Sequence, residues 1–274
     1  MHLIAPHVIV LFALLGSLAG FLAGLLGIGG GVILVPLFLW AFKVAGYTPD
    51  VIVHAAFGTS LAVIVPTTLS STLSHRRRGN VEWHQVYHLA LGGIAGAIIG
   101  AALAAGLPGT WLRFLFGLMQ ILVAMKLFFY HPHLPPEQQE GLSVLSLWAV
   151  GFAGGAFSAF FGVGGGVVAV PLMVILLRLP IHRAVGNSSA LIVVSSFFGA
   201  LSYIWHGWDR AGLAPFSVGY VNLMVAMIVA PFTIFFARLG VRVAGRLAHD
   251  RLVKVFAVLL ILVGLRMMTR LFFS

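Results

Sequence analysis

An eleven-residue pattern occurs twice in this chain, each time inside an apolar stretch. GIGGGVILVPL at 27–37 returns as GVGGGVVAVPL at 162–172, 135 residues on, with eight of the eleven positions identical. Gly16 and Gly20 precede the first copy as Gly151 and Gly155 precede the second. Downstream, His54-Ala-Ala-Phe-Gly58-Thr-Ser60 is matched by His182-Arg-Ala-Val-Gly186-Asn-Ser188. Two matches in the same order identify an internal duplication. The run Gly29–Gly31, like Gly164–Gly166, breaks a helix, because a helix-interior glycine costs about 1 kcal/mol relative to alanine. Broken backbone at membrane depth is tolerated only inside protein or beside a water-filled cavity. The chain therefore reads as two membrane repeats, 1–130 and 143–274, joined by a polar linker over 131–142, with one broken segment in each repeat.

The membrane assignment follows from composition. Hydrophobic residues make up 61% of the chain and charged residues 8%, against about 25% charged in an ordinary soluble domain. So few charges cannot solvate the surface of a soluble enzyme or a disordered tail. The net charge of +10 comes from 16 Lys and Arg against 6 acids, without a basic face belonging to a soluble fold. Nucleic acid is therefore not an expected partner; such an excess marks the cytoplasmic loops of a membrane protein. The absence of cysteine removes disulfides, thiolate metal sites and thiol nucleophiles. Residues 1–42 contain no Lys, Arg, Asp or Glu and so lack the basic start of a signal peptide, and they read as part of the fold.

Each repeat offers the same elements. A stretch long enough to span the bilayer (7–27; 143–162) leads to the glycine run, and a short apolar piece follows (32–42; 167–177). Three longer stretches complete each repeat: 54–74, 84–106 and 111–130, then 184–205, 217–238 and 250–272. If 7–42 is a hairpin that enters and leaves on one side, each repeat crosses an odd number of times and the two are inverted. One face then collects Arg76, Arg77, Arg78, Lys126, Arg178, Arg183, Arg238, Arg242, Arg246, Arg251 and Lys254. The other collects Lys43, Arg113, Arg210, Arg266 and Arg270. Parallel repeats would give a nearly even split, so basic-residue bias favours inversion, with both termini outside. The expected fold is an all-α polytopic membrane protein of two inverted repeats, each a glycine-broken hairpin plus three transmembrane helices. Whether 7–42 forms a full or a partial hairpin stays open.

The chemistry is expected where the helices break. The short piece after each glycine run starts a helix whose first N–H groups and positive dipole end point into the break, which suits an anion. Discontinuous segments at corresponding places in two halves are the usual pointer to a transporter's binding site. The candidate substrate-binding residues are Gly29, Gly30, Gly31 and Val32 in one half and Gly164, Gly165, Gly166 and Val167 in the other. Thr59, Ser60, Asn187 and Ser188 join them as uncharged donors to an oxyanion. Pro66, Thr67, Thr68, Ser70 and Ser71, with Ser195 and Ser196, carry a weaker signal of lining the same path. His54 and His182, at matching positions, are candidates for contacting a proton or the anion. Gly16, Gly20 and Gly24, and Gly92, Gly96 and Gly100, have the spacing of close helix packing.

The remaining chemistry is excluded by absence. Asp50, Glu82, Glu137, Glu140, Asp209 and Asp250 all lie in loops or at segment ends, which disfavours a proton or cation carrier with a buried carboxylate. No Walker A motif, HExxH or catalytic Ser/His/Asp pattern occurs. The chain is expected to be no enzyme, to need no cofactor and to hold no metal.

These motifs resemble the sulfite exporter TauE/SafE family. The resemblance rests on GFLAGLLGIGGGVILVPL at 20–37, its echo GAFSAFFGVGGGVVAVPL at 155–172, and the downstream HxAxGTS (54–60) and HxAxGNS (182–188). It covers nearly the whole chain and makes Gly27–Gly31, Pro36, Gly162–Gly166 and Pro171 family positions. It implies a multi-pass permease of the bacterial or archaeal cytoplasmic membrane that moves small sulfur-containing anions such as sulfite, sulfonates or sulfoacetate; with the broken segments, the expected mode is alternating access. A passive anion channel and a non-transporting membrane scaffold are the alternatives. The sequence leaves open the substrate, the direction, the coupling ion (proton or sodium) and assembly as a homo-oligomer.

Overall fold

The computed structural model describes residues 6–26, 30–129, 142–244 and 249–269. Ten helices lie among them, α1 (Pro6–Leu26), α2 (Gly31–Val44), α3 (Ile52–Arg77), α4 (Trp83–Ala105) and α5 (Gly109–Phe129), then α6 (Val144–Phe161), α7 (Gly166–Ile175), α8 (Ile181–His206), α9 (Leu223–Ala244) and α10 (His249–Thr269). Five are long and apolar enough to cross a membrane: α3, α4, α6, α8 and, over Leu223–Gly240, α9. Large apolar side chains such as Leu14, Met227, Phe235 and Leu262 point outward, as the bilayer requires. The protein is an all-α polytopic membrane protein. The linker expected at 131–142 lies outside the described residues apart from Leu142.

One stretch begins later than expected. Residues 217–222 form no helix; Ser217–Val218 (β1) pairs antiparallel with Val221–Asn222 (β2). Gly219 turns the ribbon at φ 54°. The Asn222 carboxamide oxygen then accepts from Val225 N–H at 2.9 Å. This side-chain cap satisfies a first-turn amide and sets the start of α9.

Packing pairs elements across the halves. α1 lies on α9, and α6 lies on α4. Each pair is parallel, since a Cβ on Gly16 would meet Val229 and one on Gly20 would meet Thr233, while Gly92, Gly96 and Gly100 step past Trp148, Phe152 and Ala156. The backbones approach so closely that any side chain at these glycines would collide, which is the packing expected of small residues spaced by four. α3 and α8 run antiparallel, with Leu61 beside Gly199 and Ser71 beside Ser189. α5 and α10 do likewise, with Gly117 near Met268 and Gly264 near Ile121.

Helix length locates the breaks in depth. At 1.5 Å per residue, α2 is about 21 Å long and α7 about 15 Å, against a hydrocarbon core of about 30 Å. Neither can cross. The starts of the two short helices approach one another inside the bundle: Gly31 is packed directly on the backbone of Val163, three residues before α7.

Candidate functional site

The second break is built from left-handed glycines. Gly162 ends α6 at φ 68°, and Gly164 and Gly165 follow at φ 85° and 69°. Side-chain-bearing residues rarely adopt this conformation, which costs about 1–2 kcal/mol. Gly165 caps α7, because Val168 and Ala169 donate their N–H groups to its carbonyl at 3.0 and 2.8 Å. Gly30 does the same for α2, accepting from Ile33 and Leu34 at 3.2 and 2.9 Å. The N–H groups of Gly31 and Val32, and of Gly166 and Val167, are thus first-turn amides without a partner inside their helix. Gly29 lies outside the described residues.

The walls around the breaks come from α3, α6 and α8. Gly162 sits on Phe57, and a Cβ on Gly164 would touch Ile64 and Ile192, both at 3.2 Å. Ser60 lies between Phe57 and Ile64 on α3, and Ser196 lies one turn beyond Ile192 on α8. Ser158, one turn before Gly162, has its Cβ 3.0 Å from where a Cβ on Gly165 would be. The hydroxyls of Ser60, Ser158, Ser188 and Ser196 are buried and make no hydrogen bond among the described residues. A buried polar group left unsatisfied costs about 1–3 kcal/mol, so the three beside the breaks, Ser60, Ser158 and Ser196, mark a place prepared for a polar occupant. Each hydroxyl can rotate to donate, and none brings a charge.

The two residues beside the matched serines behave differently. Thr59 Oγ1 accepts from Asn222 N–H at 3.0 Å. Asn187 Oδ1 accepts from Glu82 N–H at 2.9 Å, and its amide donates to Gln85 Oε1 at 2.8 Å. In both halves this position secures the residue just before the fourth helix of the other half, α9 or α4. The histidines also part company. His54 is buried; its Nε2–H donates to the carbonyls of Ala104 and Leu107, 3.3 and 3.1 Å away at the end of α4, and its ring stacks on Tyr220. His182 is exposed at the start of α8. The structure brings Ser60, Gly31 and Gly164–Val167 to the breaks and gives Thr59, Asn187 and His54 bonds that hold helices.

Gln120 and Ser158 are site neighbours that the sequence reading missed. Pro36 has no N–H, so Val32 O lacks its usual helical partner four residues on. Gln120 of α5 supplies it, donating Nε2–H at 3.1 Å from a fully buried position. Its amide oxygen has no partner among the described residues. The signal was available: Gln120 is the only amide side chain in the 111–130 stretch, opposite a proline one turn into a short helix. An apolar groove of about 510 Å³ runs between α5 and the α6–α7 hairpin and touches Val167 and Pro171. Apart from Lys126 its lining is apolar, which suits lipid rather than a small anion. Among the described residues no group of His, Asp and Glu could hold a metal.

A sequence profile described as sulfite exporter TauE/SafE matches residues 12–267. A probable membrane transporter protein of Haemophilus influenzae is 30% identical over 261 residues, covering 94% of this chain and 97% of its own. The probable membrane transporter protein YunE of Bacillus subtilis is 28% identical over 97% of this chain and 99% of its own. A probable membrane transporter protein of Xylella fastidiosa (strain Temecula1) is 31% identical over 93% of both chains.

Proposed function

This chain belongs to the sulfite exporter TauE/SafE family, and we propose that it is a secondary transporter of small sulfur-containing anions, sulfite or sulfonates, working by alternating access. The carrying observation is the set of hydroxyls on Ser60, Ser158 and Ser196, which among the described residues have no hydrogen-bond partner and are buried beside the breaks before α2 and α7, whose starting caps are Gly30 and Gly165. Hydroxyl donors and first-turn amides together stabilise negative charge. With neutral donors alone, the site holds the anion without trapping it, which transport requires. Gly31, Val32, Gly166 and Val167 offer amides; Ser60 and Ser188 offer hydroxyls.

Alternating access is supported by the antiparallel pairs α3 with α8 and α5 with α10, which are the corresponding helices of the two halves. A twofold relation that reverses helix direction has its axis in the membrane plane, as inverted repeats require. Basic-residue bias agrees with that arrangement. An exchange of conformation between the halves then opens the shared site to one face and afterwards to the other.

The test is uptake into proteoliposomes of sulfite, thiosulfate, sulfoacetate and taurine, with and without a proton or sodium gradient. Saturable flux with counterflow is expected. Unitary currents would replace the carrier by a channel, and no flux of any sulfur anion would sink the reading.

A further inference from the structure

Resting on the transport reading above, the geometry points to an inward route for the anion along one stripe of α3, with Arg238 of α9 as the residue that captures the anion at its mouth.

Thr67, Ser70, Ser71 and Ser74 fall at i, i+3, i+4 and i+7 on α3 and so share a face. Each of the first three touches a polar partner on a neighbouring helix. Thr67 Oγ1 is 3.1 Å from Thr233 Oγ1 of α9, Ser70 Oγ accepts from Arg238 Nη2 at 2.9 Å, and Ser71 Oγ is 3.3 Å from Ser189 Oγ of α8. The stripe therefore lies in the seam where α8 and α9 meet α3. Seven residues before Thr67 on the same stripe is Ser60, whose hydroxyl is buried at the breaks and has no partner among the described residues. From Ser60 to Ser70 is about 15 Å along the helix, the distance from the centre of the bilayer to its edge. Burial falls along the way: Ser60 is buried, Thr67, Ser70 and Ser71 are half-buried, and Ser74 is exposed.

A seam closed by hydroxyl contacts opens at low cost. Each such bond is worth about 0.5–1.5 kcal/mol net, and water or an oxyanion satisfies the separated hydroxyls equally well. An apolar seam of the same length would dewet instead.

Arg238 suits the mouth. Its guanidinium is exposed and bonds a neutral hydroxyl, and among the described residues it makes no ion pair. Its planar fork matches two oxygens of a sulfite or sulfonate group. Arg76, Arg77 and Arg78 stand at the same end of α3, so the mouth carries a positive field that concentrates anions. The corresponding stripe on α8, Ser188, Ser195 and Ser202, ends differently: Ser202 Oγ meets His206 Nδ1 at 3.4 Å, with no arginine. Among the described residues, a guanidinium bonded to a hydroxyl of the stripe thus occurs on α3 and not on α8.

The natural absence of cysteine makes the route directly testable. In vesicles of known orientation, Thr67→Cys should react with a membrane-impermeant methanethiosulfonate from the face that carries Arg238, and faster with an anionic reagent than with a cationic one. Arg238→Gln should reduce that preference about tenfold, the size of an ordinary steering effect, and Arg238→Lys should keep most of it. Ser71→Cys reports on the same stripe should Thr67→Cys fail to fold. With sulfite, Arg238→Gln should raise KM at that face about tenfold and leave KM at the opposite face unchanged, which a merely structural role would not do. Thiols at both positions unreactive from either face, or a charge preference untouched by Arg238→Gln, would overturn the inference. Protein that moves no sulfur anion yet shows the Arg238-dependent preference would refute the transport reading and support the anion route.

Discussion

Three glycines at the breaks differ in what a methyl group would meet, and that difference sets an order of tolerance. At Gly30, φ is −61° and an added Cβ finds its nearest neighbour, Leu34 Cδ1, at 3.5 Å. The position has room and an ordinary backbone, so Gly30→Ala should be close to neutral. At Gly164, φ is 85°, and the Cβ would touch only the side-chain tips of Ile64 and Ile192 at 3.2 Å. The cost there is chiefly the left-handed backbone, about 1–2 kcal/mol. At Gly165, φ is 69° and the Cβ would lie 2.5 Å from Gly154 O, a backbone atom that cannot move aside. Overpacking adds about 1–3 kcal/mol, so Gly165→Ala should cost about 2–5 kcal/mol in all. The assay pairs thermal unfolding in detergent, followed by size-exclusion elution, with sulfite flux in proteoliposomes. Tm should fall most for Gly165→Ala, less for Gly164→Ala and least for Gly30→Ala, and flux should fall with it because Gly165 sets the direction of the α7 amides. The larger Gly30→Val and Gly165→Val changes should keep this separation. Equal loss at Gly30 and Gly165 would refute the reasoning, since it would mean that local geometry does not decide these positions.

The hydroxyls divide into two classes with opposite signatures. Ser60→Ala and Ser188→Ala remove unsatisfied groups, so they should leave Tm unchanged or raised while increasing KM for the anion; unchanged KM in both would remove them from the site. Thr59→Val and Asn187→Leu strip the acceptors from Asn222 N–H and Glu82 N–H, and each should lower stability by about 1–3 kcal/mol, measured as a drop in Tm. Gln120→Leu should lose a similar amount by leaving Val32 O unpaired. In a Pro36→Ala background the backbone N–H restored at that position takes over, and the loss should shrink; an undiminished loss in the double mutant would show that Gln120 acts elsewhere. Tags at both termini should be cut by protease added outside intact cells, and protection of both would reverse the assigned orientation.

Much of the fold was legible because its determinants are local. Apolar run length located the helices, and the glycine runs located the breaks, because no side chain compensates for three glycines in sequence. The start of α9 was not legible from hydropathy, since Val218, Tyr220 and Val221 read as apolar helix; the turn at Gly219 and the Asn222 cap decide it. The site was legible only in part. Ser60 and Thr59 are adjacent, equally polar and equally buried, and nothing local tells them apart. What separates them is Asn222, which lies 163 residues from Thr59 and reaches it only through the packing of α9. Asn187 is likewise claimed by Glu82 and Gln85 of the other half. The role of Gln120 needed Pro36 to be read as a missing donor, and then a partner to be sought on a helix that only the fold brings near.

The exchange of α4 and α9 between halves has a consequence for how such a chain could be divided. Severed at the linker, neither piece could satisfy itself: the first would present the glycine ridge of α4 to lipid and lose the Asn187 acceptor that holds its start, and the second would lose Thr59. Each piece would be a complete partner for the other in opposite orientation. Expressed together as separate chains, the two pieces should therefore recombine through the α1–α9 and α4–α6 contacts.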